Sequence, residues 1–107
     1  MTDYRNMAKL EKVSLDHYLL KGELNFKSVP ELWEKNKNRL FSNKLEELTI
    51  DCSQLQRSDS SGLALLLEWY RTAQLQKMNI VFLNPPEKMV DIARISGLDK
   101  ILPLQLK

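Results

Sequence analysis

The residues with the most chemistry in this 107-residue sequence lie in one short run, Arg57-Ser58-Asp59-Ser60-Ser61-Gly62-Leu63, where a polar loop meets an apolar segment of helical period. A helix starting there presents free backbone N–H groups, which a side-chain oxygen of Asp59 or Ser60 can cap. The same place offers a second chemistry, because a phosphate carried by the Ser60 hydroxyl would meet the positive end of the helix dipole. Unmodified, the loop can dock a partner, and Gly62 beside two serines is expected to keep the surface low enough for another backbone to approach. Hydrolysis lacks its parts: D-S-S-G is not the G-x-S-x-G of a nucleophile elbow, and the lone histidine, His17, falls in an apolar, strand-like segment. One cysteine, Cys52, and one histidine build no metal site by themselves, and no Walker or dinucleotide fingerprint occurs. The loop therefore reads as a binding or modification site on a non-enzymatic module, with no cofactor and no metal.

The elements that must position this loop follow from periodicity. Residues 1–12 are polar without a clear period and read as a flexible leader, leaving 13–107 as a single domain. Val13–Leu20 and Glu23–Phe26 read as two strands of a hairpin turning at Gly22. Ser28, Pro30 and Glu31 form a capping-box signature for a helix to about Leu40, with Val29, Leu32, Trp33 and Leu40 inward. Leu48–Cys52 is a short strand, and Ser53–Ser60 a polar connection. The helix that follows, about Ser61 to Gln76, places Leu63, Leu66, Tyr70 and Ala73 on one stripe. Leu65 and Leu75 fall off that stripe and Trp69 lies at its edge, so Leu65 and Trp69 are candidate partner-contact residues, with Trp33 on the preceding helix as a further candidate interface residue. Asn79–Leu83 is a buried strand, and Asn84-Pro85-Pro86 opens a third helix through Met89, Ile92 and Ala93. Gly97 closes that helix, and Ile101–Leu104 can form a last strand. The order β-β-α-β-α-β-α-β predicts an α/β sandwich, a mixed sheet of four to five strands with three helices packed on it.

The totals agree with a single small domain. The chain is 43% hydrophobic and 28% charged with a formal charge of +2, and its lysines are scattered among acids. No basic stripe of the kind nucleic-acid binders use is present, so no nucleic acid is expected. The longest apolar run, Leu63–Leu67, falls far short of the roughly 20 residues that span a bilayer. No secretory signal is recognisable in Met1–Leu10, and the single cysteine fits a reducing cytoplasm.

Several segments together resemble the STAS family over nearly the whole chain: K-G-E-L-N-F (21–26), S-V-P-E-L-W-E (28–34), L-T-I-D-C (48–52), D-S-S-G-L (59–63) and I-S-G-L-D-K-I-L-P-L (95–104). Within the family, P-E-L-W-E (30–34) and G-L-A-L-L-L (62–67) are similar to the Mla-type branch. The resemblance implies a STAS-type sandwich and a small cytoplasmic subunit. Such a subunit sits peripherally on the inner-membrane face, bound to the ATPase of a phospholipid ABC transporter and through it to the permease. It would regulate or stabilise that ATPase in maintaining lipid asymmetry. The family's key hydroxyl maps to Ser60, with Asp59, Ser61, Gly62 and Leu63 completing the loop. The Mla branch is expected to carry threonine there; serine is the residue that anti-sigma factor antagonists phosphorylate, so the resemblance also admits a switch operated through Ser60.

Overall fold

Alternation with a period of two builds the sheet. In the computed structural model, which describes residues 8–41 and 45–106, strand β2 (His17–Leu24) buries Tyr18, Leu20, Gly22 and Leu24 while the residues between stay half-exposed. Strands β3 (Glu47–Ser58) and β4 (Asn79–Leu83) repeat the pattern with Leu48, Ile50 and Cys52 and with Ile80 and Phe82. With β1 (Lys9–Ser14) and β5 (Leu104–Gln105) they form one five-stranded sheet in chain order, β1-β2-β3-β4-β5. The β1–β2 pair is antiparallel and the other three pairs are parallel. Helices α1 (Ser28–Phe41), α2 (Ser60–Leu75) and α3 (Glu87–Ser96) supply the connections between the parallel strands. They cover the inward face, where Leu20, Leu24, Leu40, Ile50, Leu66, Trp69, Phe82 and Met89 make the core. The expected mixed sheet with three helices is the observed architecture.

Local differences have physical causes. The hairpin turns at Leu15 and Asp16, not at Gly22. Ser14 Oγ donates to Asp16 Oδ1 at 3.0 Å across this turn, and the Asp16 carbonyl accepts the Thr49 N–H at 2.8 Å. Gly22, at φ 88°, lies within β2 beside a register shift against β3, so it marks a bulge. Of the expected leader, residues 1–7 lie outside the described residues, whereas Lys9–Lys12 are strand. The helix expected from a Ser28–Glu31 capping box is instead capped three residues earlier. The Asn25 side chain accepts the Ser28 N–H at 3.0 Å while Ser28 Oγ accepts the Asn25 N–H at 3.0 Å, the reciprocal arrangement of a capping box. The short strand expected at 48–52 continues to Ser58, and the final strand forms at Leu104–Gln105 behind a 3-10 turn at Leu98–Lys100. Strand β4 ends at Leu83 because Asn84 turns left-handed, at φ 52°, and Pro85 and Pro86 have no N–H with which to extend the ladder.

Candidate functional site

The candidate loop sits where β3 passes into α2. Asp59 has extended backbone angles, φ −98° and ψ −167°, and its Oδ1 accepts the Ser61 N–H at 2.8 Å, the geometry of an N-cap. Its own N–H is held by the Leu24 carbonyl at 3.1 Å and its carbonyl by the Gly62 N–H at 3.0 Å, so the turn is tied to β2 on one side and α2 on the other. Ser60 opens the helix, is exposed, and makes no hydrogen bond through its hydroxyl among the described residues. Ser61 is half-buried. Neither the Ser60 nor the Ser61 hydroxyl is bonded among the described residues, and Ser60 carries the exposed one, at the positive end of a 16-residue helix on a turn held from both sides.

Two members of the expected set point inward. Leu63 is 2% exposed and belongs to the core. Gly62 is buried as well: a Cβ there would collide with Ser58 Oγ and lie 3.0 Å from Leu24 Cδ1. The missing side chain lets α2 approach the ends of β2 and β3; it does not lower the outer surface for a partner. The outward part of the loop is Asp59, Ser60 and, in part, Ser61.

The expected apolar contact surface on α2 also moves. Leu65 and Trp69 are 2% and 0% exposed and are core residues. The reason is that α2 packs on β3 and β4 while touching α1 on one flank and α3 on the other, which buries an arc wider than the single stripe Leu63, Leu66, Tyr70, Ala73. Trp33 is partly buried against the core, and Leu75, at the far end of α2, is exposed. Among the described residues the Trp69 indole Nε1–H has no hydrogen-bond partner.

Other reactive groups lie apart from the loop. His17 is half-buried at the start of β2, in register with Thr49 at the opposite end of the strand. Burial, with a smaller contribution from the Asp51 charge, pushes the Cys52 thiol up to about 12, so it stays protonated and unreactive at neutral pH. Among the described residues no three His, Cys, Asp or Glu side chains cluster as metal ligands, and no helix is long and apolar enough to cross a membrane.

Beside the loop lies a cleft that sequence reasoning missed. It has a volume of about 640 Å³ and runs between the ends of β2 and β3 and the start of α3, with Glu23, Asn25, Arg57, Ser58, Lys88 and Met89 among its walls. Its one sequence signal is the Pro85-Pro86 pair that cuts β4 short beside the longer β3.

Residues 14–104 match the family profile described as Mlab, STAS domain. The intermembrane phospholipid transport system binding protein MlaB of Haemophilus influenzae is 27% identical over 90 residues, covering 82% of this chain and 83% of that protein. Among solved structures, the anti-sigma factor antagonist SpoIIAA in its unphosphorylated form superposes with a TM-score of 0.73 at 22% identity, covering 94% of this chain and 87% of its own. The phosphorylated form of the Bacillus cell fate determinant SpoIIAA gives 0.69 at 24% identity, covering 94% and 90%. An anti-sigma factor antagonist from Mycobacterium paratuberculosis gives 0.68 at 20% identity, covering 92% and 84%. At these identities the three structures share the fold with this chain.

Proposed function

The chain belongs to the STAS domain family of the Mlab kind, and from that premise we propose that it is a non-catalytic accessory subunit of a phospholipid-transporting ABC system. It docks on the ATPase through the face carrying Asp59, Ser60 and Ser61, stabilises the productive arrangement of that ATPase, and reaches the permease only through it. The cytoplasmic side of the inner membrane is the place this reading assigns to it. The observation that carries the reading is the family match, which runs from residue 14 to residue 104. The likeness to the Haemophilus protein supports the transport context. The capped turn supplies the contact: an exposed hydroxyl on a backbone fixed from both sides loses little conformational freedom when a partner packs on it.

A second reading rests on the same hydroxyl. Ser60 is exposed and unbonded among the described residues, so a kinase could transfer phosphate to it; roughly −1.5 to −2 charges placed in an interface would then eject the partner. The two readings part in one experiment: affinity purification of the tagged chain from gently solubilised native membranes, with mass spectrometry of the partners and of the Ser60 peptide. Recovery of an ABC ATPase with its permease is the expected result. A soluble, kinase-like regulator recovered in their place, with phosphate on Ser60, would overturn the transporter reading in favour of the switch.

A further inference from the structure

Strand β3 is longer than its neighbour on one side. Its last pair with β4 is Asp51 with Leu83, yet β3 continues to Ser58, paired only with β2 through Gln54, Leu55, Arg57 and Ser58. The first amide past the end of β4 is satisfied locally, because Asp51 Oδ1 accepts the Ser53 N–H at 2.9 Å. Beyond it, among the described residues, the backbone of Gln54–Ser58 makes no hydrogen bond outside the β2–β3 ladder. The side of this stretch that β4 would have occupied is an unpaired sheet edge, about 16 Å long at the usual rise per residue. Space lies beside its last three residues, since Gln56, Arg57 and Ser58, with Asp59 and the Glu23–Asn25 end of β2, line one side of the cleft and Pro86, Lys88 and Met89 the other.

The far wall is polarised. Helix α3 starts at Pro86 with no side-chain cap, so its first-turn N–H groups are left without a side-chain acceptor, and Lys88 makes no ion pair among the described residues. Arg57 lies in register with Glu23 on β2 but, like Lys88, makes no ion pair among the described residues, while the Asp59 carboxylate is engaged at the α2 N-terminus. The positive end of α3, whose first-turn acid Glu87 is not among the walls of the cleft, together with Lys88 and Arg57 is therefore the positive charge open to a ligand, against the one carboxylate of Glu23. From this juxtaposition we propose that the cleft takes an extended peptide segment of the partner, which pairs as an added strand with the Gln54–Ser58 edge and sets an acidic side chain against Lys88 and the first turn of α3. The edge leads directly into Asp59 and Ser60, so the segment and the loop form one continuous contact. This proposal rests on the docking reading above and names the form of the partner that the site accepts.

Hydrogen–deuterium exchange of the chain, alone and bound to the purified ATPase, separates the two claims. Strand addition predicts that exchange across Gln54–Ser58 slows at least tenfold in the complex, together with slowing over Ser60–Leu63. Slowing over Ser60–Leu63 alone would overturn the added strand and leave the docking reading standing; no slowing at either segment would overturn both. As a second measurement, the exposed substitution Lys88→Glu, which leaves the fold intact, is expected to weaken ATPase binding tenfold or more at low salt and by less at high salt. Unchanged affinity would remove the acidic contact.

Discussion

At Gly62 the fold leaves no room for a side chain, because Ser58 Oγ and Leu24 occupy the place of a Cβ. Gly62→Ala is accordingly expected to destabilise the protein by up to about 2 kcal/mol, overpacking of about 1–3 kcal/mol outweighing the roughly 1 kcal/mol by which a helix prefers Ala to Gly. Removing the obstructing hydroxyl with Ser58→Ala should restore much of the loss, and urea denaturation of the single and double variants checks it; an unchanged midpoint for Gly62→Ala would contradict the close approach. The contrast with Asp59 shows what single residues disclose. Asp59 caps the helix that its sequence position announces, since a cap depends on residues within one turn. Gly62 serves a contact with strands β2 and β3, and no local pattern distinguishes a glycine that admits a neighbouring strand from one that lowers a surface.

Helix α2 shows the same division among elements. Its position and length were legible from the apolar run after the cap, but its buried arc was not, because that arc depends on α1 and α3 packing along its flanks. Leu65→Ala and Trp69→Ala should each cost about 2–5 kcal/mol as core truncations, whereas Leu75→Ala, at a site 86% exposed, should change stability by no more than about 0.5 kcal/mol. Thermal or denaturant unfolding of the three variants checks the ranking, and a mild effect of Trp69→Ala would return that residue to the surface. The outer half of β3 was illegible for a different reason: register shifts against β2 after Leu19 and after Gly22 break the alternation that identifies a strand, so its polar residues read as a connection. The first turn was misplaced by the same bulge, which gave Gly22 the look of a hairpin turn. By contrast β4, closed by Asn84-Pro85-Pro86, lies where its continuous apolar run placed it.

For the whole molecule, the alternation of apolar and helical segments was sufficient to give the mixed sheet and its three helices, since each connection joins strands adjacent in the sheet. The fold brings the ends of β2 and β3, the cap of α2 and the start of α3 to one end of the sheet, and that assembly depends on tertiary packing no sequence window contains. It leaves Ser60 as an exposed group on a fixed turn, which is the basis for assigning partner docking to this end. The most direct test is the affinity of the purified chain for the purified ATPase, compared with Ser60→Glu. An acid in the first turn of α2 is favourable to the helix, so the variant keeps its melting temperature while placing bulk and charge on the contact. The account predicts at least a tenfold loss of affinity with the fold intact; full affinity in a folded Ser60→Glu protein would contradict it.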